Sequence, residues 1–230
     1  NTENSMLKSV MADAKKGDSF MRQNRMKKCL TTVLSGILVL SLSGCGQTAK
    51  LPEEVVNTSL VVEKDGKVIS YLVNTFDKEF YSLDGLEEMV KNEAEEFNAA
   101  HTDTPEEALT VKTVQALGDG DMVQVVQEFD SADSYAEYND QDLFYGTRVE
   151  ALAQGNPVNK ELVNAADGTP ADPDKLEKAL EKGHLIITNA SAYIYCPYPV
   201  LYISEGVVMG EDGSVDASQS DGVVTILMKR

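Results

Sequence analysis

Along the chain, apolar and polar positions alternate with a period of two in several short runs, broken by one long stretch with helical spacing. Residues 59–62 and 67–76 (SLVV and KVISYLVNTF) are rich in β-branched and aromatic residues, and Glu63-Lys64-Asp65-Gly66 separates them. Asp-Gly between two such runs predicts a hairpin turn. Leu83, Leu86, Val90, Ala94 and Phe97 then recur at steps of three and four, predicting an amphipathic helix over about 83–98. Ser82 is its expected N-cap, and Asp84, Glu87 and Glu88 lie near the positive end of the helix dipole. A second hairpin is expected from 109–117 and 122–129 around Gly118-Asp119-Gly120-Asp121. In its second strand Val123, Val125 and Phe129 share one face and Gln124 and Glu128 the other, which predicts a sheet with one wet side.

Farther on the pattern weakens. Ser131 begins a helical stretch through Tyr138, and residues 131–154 read as two short helices broken near Asn139-Asp140 and at Gly146. Residues 156–172 read as a connection with a helical turn around Leu162 and Val163. A clearer helix follows, with Asp172 as cap, Pro173 at the first helical position, Leu176, Ala179 and Leu180 facing inward, and Gly183 at its end. The tail reads as strands over 185–188, 192–203, 207–209 and 223–228. Pro197 and Pro199, two residues apart, remove both N–H groups from one side of the 192–203 segment, which places it at a sheet edge or bends it. The resulting fold class is α+β: an antiparallel sheet built from hairpins with helices packed on one face, forming a single domain over 59–230.

The segment before that domain follows a different rule. Arg22, Arg25, Lys27 and Lys28 precede an uncharged apolar run from Cys29 to Leu42, which ends in Ser43 and Gly44. The run is shorter than the roughly 20 residues a transmembrane helix needs, and it lacks the polar stripe of a globular helix. That order matches a secretory signal. Leu42-Ser43-Gly44-Cys45 resembles the lipobox of bacterial lipoproteins. The resemblance implies cleavage before Cys45, a diacylglycerol on its thiol, and Cys45 as the mature N-terminus. It covers only the first fifth of the chain and implies no fold beyond it. Residues 1–20 are read as a non-native or misassigned leader with a natural start at Met21 or Met26, 21–44 as the signal peptide, and 45–58 as a lipidated tether. The expected location is the extracytoplasmic face of the cell membrane.

Charge narrows the partners. The chain holds 20 Lys/Arg against 38 Asp/Glu, a formal charge of −18. Residues 1–44 contain seven of the basic and three of the acidic groups, so the segment from Cys45 carries 13 against 35, or −22. Such a body repels nucleic-acid phosphates and anionic membranes, so membrane residence is expected through the lipid on Cys45 and nucleic-acid binding is not expected. The open partner classes are an envelope glycan or protein. Of three cysteines only Cys196 remains in the body, which leaves no intramolecular disulfide and suggests a disulfide-poor envelope. Cys196 stands among tyrosines and reads as a buried thiol.

Motifs for chemistry are sparse. His101 and His184 lie far apart in sequence, and no HExxH, CxxC, G-x-S-x-G or phosphate-loop spacing occurs. Neither a metal nor a cofactor is expected. The i, i+2 acid pairs Asp119/Asp121, Asp140/Asp142 and Asp172/Asp174 offer oxygen ligands but lack the rest of a calcium loop, and turn formation or capping accounts for them. Tyr193, Tyr195, Tyr198 and Tyr202 are the candidate recognition surface, with strand alternation placing the first two on one face and the others opposite. The expected function is therefore a non-enzymatic binding or structural module on a lipid anchor. A carboxylate-dependent envelope hydrolase and a calcium-dependent adhesion module are the alternatives.

Overall fold

Both glycine turns fold as the sequence predicts, and they seed a sheet that extends well past the hairpins. The computed structural model describes residues 49–77, 82–102, 107–159 and 161–230; the leader, the signal segment and Cys45 lie outside these. Strand β1 (Ser59–Val62) pairs antiparallel with β2 (Val68–Thr75), and Gly66 at φ +95° closes the turn in a conformation that disfavours a Cβ. Strands β3 (Leu109–Leu117) and β4 (Met122–Phe129) form the second hairpin, and β4 pairs with β2 from Val68↔Phe129 to Thr75↔Met122.

Helix α1 (Leu83–Ala100) lies between the hairpins, with the Ser82 hydroxyl accepting the Gly85 N–H as its cap. Helix α2 (Ala132–Asn139) follows β4, capped in the same way by Ser131. Two expectations then fail. Leu143–Gly146 is not part of a helix but strand β5, and the helix α3 (Arg148–Ala153) comes after it with a Thr147/Glu150 capping box. Leu162 and Val163 lie in strand β6 (Leu162–Asn164), not in a helical turn. In both places an apolar pair or triplet is too short to show any period, and only pairing to a distant strand gives it a conformation.

Helix α4 (Pro173–Lys182) forms as expected behind its Asp172 cap. Gly183 ends it in extended backbone (φ −82°, ψ 177°), not in a left-handed cap. The glycine is required by proximity: a Cβ there would stand 2.5 Å from the Met228 carbonyl oxygen and 2.8 Å from that of Ala179.

The tail supplies β7 (His184–Thr188), β8 (Tyr193–Tyr195), β9 (Val200–Ser204), β10 (Val208–Met209), β11 (Val215–Asp216) and β12 (Val224–Met228). Two sheets result, of order β10-β11-β8-β1-β2-β4-β3 and β5-β7-β12-β9-β6. The expected single strand over 192–203 is therefore two strands in different sheets. Cys196–Pro199 is the crossing, and the prolines bend the chain there without occupying an edge strand, since β9 lies between β12 and β6. Nor is the first sheet wholly antiparallel or hairpin-built: β8 joins β1 in parallel, Leu60 opposite Ile194.

The fold class is α+β. One hydrophobic cluster joins the inward positions of both sheets, Leu60, Val62, Phe129 and Ile194 with Ile186, Ile226 and Met228, and includes Ala94 of α1 and Tyr135 of α2. The second gathers Phe144, Leu185, Ile187 and Leu227 with Ala151 of α3 and Leu176 and Leu180 of α4. Strand β7 thus buries alternate residues in two different cores, which is why HLIIT reads as a continuous apolar run.

Strand β3 is an edge, and it is closed at its start by a side chain. The Leu109 N–H donates to Asn98 Oδ1 at 2.8 Å, and Asn98 Nδ2 donates to the Leu109 carbonyl at 2.7 Å. The amide of α1 thereby replaces one residue of a missing neighbouring strand.

Candidate functional site

The seven-stranded sheet has an outer face opposite the core, and its register sets out which side chains meet there. Tyr193 of β8, Ser59 of β1, Tyr71 of β2 and Val126 of β4 form one row. Tyr195, Val61, Ile69 and Glu128 form the next. Side chains alternate along each strand, so these rows face away from Leu60, Val62, Ile194 and Phe129. Ser59 is buried between the two tyrosines of its row, and its hydroxyl donates to the Asn57 carbonyl at 2.8 Å. Val61, Ile69, Tyr71 and Tyr193 are half-buried, and burial raises the Tyr71 phenol above its ordinary pKa.

Part of this face is covered by the segment that leads into β1. The Lys50 N–H donates to the Asp212 carbonyl at 3.1 Å, in the turn between β10 and β11. Five residues later the Val55 carbonyl accepts Gln124 Nε2 of β4 at 2.6 Å, and Gln124 Oε1 accepts Gln115 Nε2 at 2.9 Å. Residues 50–55 therefore run as a strap from one side of the sheet to the other. The expectation of a fully wet face at Gln124 is corrected for the same reason, because the strap buries that side chain to 4% exposure.

Beside the strap a cleft of about 590 Å³ opens, lined by Ala49, Leu51, Val61, Tyr195, Pro197 and the Glu63–Asp65 turn. Tyr195 forms part of its wall and donates to Asp212 Oδ2 at 2.7 Å. Burial, then the Asp212 carboxylate, holds that phenol above its usual range. Burial opposes ionisation of Asp212, but hydrogen bonds from Ser214 and Tyr195 outweigh it, so the carboxyl lies below its usual range. The cleft offers an apolar floor, a neutral phenol and a fixed carboxylate, a set suited to contact with a ring or an extended chain.

A second group stands across the first hairpin turn. The ring centroids of Tyr145 and His184 lie 5.6 Å apart and those of His184 and Tyr198 5.7 Å apart, and Lys64 Nζ is 5.6 Å from the Tyr198 ring centroid. Burial, then the charge of Arg230, lowers the His184 pKa, which leaves the imidazole neutral at pH 7. Burial, then Tyr198, pushes Tyr145 up to about 12. Tyr145 Oη and His184 Nδ1 are both buried, and among the described residues neither makes a well-formed hydrogen bond; the polar groups that act on them are the Tyr198 hydroxyl and the Gly183 backbone.

The four tyrosines singled out in the sequence do not form one platform. Tyr193 and Tyr195 share the outer face of the first sheet, Tyr198 joins the His184 group, and Tyr202 is buried in the second core. Tyr71 was the missed partner of Tyr193, and alternation of Ile69, Tyr71 and Val73 in β2 carried the signal for it. Cys196 is buried, and burial pushes its thiol up to about 12. His101 joins two helices: its Nδ1 meets the Phe97 carbonyl at 2.8 Å, its Nε2 meets Glu137 at 3.1 Å, and its ring stacks on Phe97. The acid pairs serve local structure, Asp172 as a cap and Asp140 as a left-handed helix end at φ 52°. No three His, Cys, Asp or Glu side chains converge as a metal site among the described residues. Cys45 and Leu42–Gly44 lie outside those residues. Compared with known protein families, with curated proteins and with solved structures, the chain finds no match in any of the three.

Proposed function

We propose that the chain is a lipid-anchored protein of the extracytoplasmic membrane face, whose α+β body is a non-enzymatic binding or structural module. The carrying observation is the order of basic residues, a short apolar run and Leu42-Ser43-Gly44-Cys45, followed at once by a unit that spans Gly46–Arg230. No helix among the described residues is long and apolar enough to cross a membrane, so lipid on Cys45 is the attachment this reading needs. One acyl chain binds a bilayer marginally and two hold firmly, which suits a diacylglycerol. In this reading each sheet carries helices on one face, α1 on the first and α3 and α4 on the second, with α2 against β5 of the second sheet and β4 of the first. That arrangement leaves the outer face of the seven-stranded sheet, with Tyr71, Tyr193 and the cleft at Tyr195, for an envelope glycan or protein.

The test is metabolic labelling with a radioactive fatty acid in the expressing bacterium. Wild-type chain should take up label and sediment with membranes. Cys45→Ala should lose both, and undiminished labelling of that variant would overturn the reading.

A further inference from the structure

The strap that crosses the outer face also fixes which end of the body an anchor at Cys45 would pull toward the membrane. Ala49 packs against the β10–β11 turn, where a Cβ on Gly213 would lie 3.1 Å from its Cα, and Lys50 is bonded to Asp212 in the same turn. Ala49 stands four residue steps after Cys45 in sequence, a reach of at most about 14 Å even when fully extended. An anchor that short holds the body by this end and leaves it little freedom to turn over.

Charge points the same way. The body from Cys45 onward carries 13 basic residues against 35 acidic ones, yet five of the 13 gather here. Lys50 is pinned at Asp212, Lys64 lies over Tyr198, Lys67 bonds through its N–H to Asp65, the Lys229 N–H donates to the Pro199 carbonyl, and Arg230 acts on Tyr145 and His184. Carboxylates at this end include Glu63, Asp65, Glu211 and Asp212 in the turns, Glu150 beside Arg230, and Glu128 and Asp130 at the end of β4, so it carries only a small share of the −22 while most of the excess acid lies elsewhere. The opposite end, where β3 turns into β4, holds Asp119 and Asp121. Nine residues of β3 separate the two ends by about 30 Å. Near an anionic bilayer a body so polarised is favoured with its less acidic, lysine-bearing end down and the bulk of its acid away.

We propose that the end formed by the Glu63–Gly66 turn, the Asp212–Gly213 turn and Arg230 is a membrane-facing surface that rests on anionic phospholipid headgroups. It rests on the lipid-anchor reading above and adds an orientation to it. The outer-face cleft beside Ala49 then opens next to the headgroups, within reach of anything confined to the membrane surface.

Energy transfer measures this directly. The lipidated full-length protein is purified from membranes and placed in phosphatidylcholine–phosphatidylglycerol vesicles carrying a headgroup acceptor dye. A donor is attached at Asp65→Cys or at Asp119→Cys; Cys196 is buried, and its thiol resists native labelling. Transfer from position 65 should exceed that from position 119 by at least about threefold, given their separation of about 30 Å. Protein that stays with the vesicles but transfers equally from both sites, or more from 119, overturns the orientation and leaves the anchor intact. Protein that does not stay with the vesicles overturns the anchor reading and the orientation with it.

Discussion

Asn98 offers the sharpest test of how the fold is closed. Its side-chain amide both accepts from and donates to the backbone of Leu109, a residue only 1% exposed at the open edge of β3. Asn98→Ala removes both partners at once and leaves an N–H and a C=O of a buried residue unpaired. Each such group costs about 1–3 kcal/mol, and because solvent reaches the edge on one side the lower half of that range applies, giving about 2–4 kcal/mol in total. For a body of this size that corresponds to a melting temperature lower by roughly 4–16 °C. Asn98→Asp separates hydrogen bonding from shape. The carboxylate can still accept from the Leu109 N–H, but it places negative charge against the Leu109 carbonyl, so its loss should match or exceed that of alanine. Urea unfolding followed by circular dichroism would read the midpoint, with an unchanged slope showing that only the native state was affected. Hydrogen exchange at the Leu109 amide should accelerate in both variants. A loss under about 0.5 kcal/mol for Asn98→Ala, or wild-type stability for Asn98→Asp, would refute the assignment of that amide as the edge closure.

Two further outcomes follow from single contacts. The Phe97 carbonyl, then Glu137, raises the His101 pKa above its unfolded value near 6.5, so the stabilisation is fully present below that value and disappears as pH rises through the folded pKa. The stability difference between wild type and His101→Ala should thus be larger near pH 5.5 than near pH 8.5, and a difference that does not change with pH would dispose of the helix-joining role. Gly183→Ala should lower stability by about 2–3 kcal/mol, because the new Cβ meets the Met228 and Ala179 carbonyl oxygens, atoms of backbone that cannot rotate aside; an unchanged urea midpoint would show that α4 and β12 can separate.

What the sequence discloses here is local, and what it conceals is long-range. Ser82, Ser131 and Asp172 cap helices by contacts three residues away, and Gly66 turns a hairpin by its own backbone, so both kinds of element are legible from neighbours alone. Leu143–Gly146 has no such signature; it is a strand because Tyr145 lies opposite Ile186, some forty residues on. The same holds for Val163 opposite Ile203. Gln124 read as wet because its own strand alternates cleanly, and only the carbonyl of Val55, 69 residues earlier, buries it. In the candidate site, Tyr193 and Tyr195 could be placed on one face by alternation, whereas the bend at Pro197 and Pro199 sent Tyr198 and Tyr202 to different surroundings. Tyr145 and His184 meet only through the pairing of β5 with β7, which no spacing in the chain records.

The parallel pairing of β1 with β8 carries a consequence for the order of events in making the protein. Leu60 lies opposite Ile194, so one flank of the first strand stays open until more than four-fifths of the chain has been synthesised. The strand that completes it runs on through the Cys196–Pro199 crossing into β9, a strand between β12 and β6, so the last strands of both sheets come from the same late segment. Contacts of such long range cannot form before the late strand exists, however fast folding is afterwards. A growing chain of this topology therefore leaves its first sheet unfinished until the residues around Ile194 have emerged.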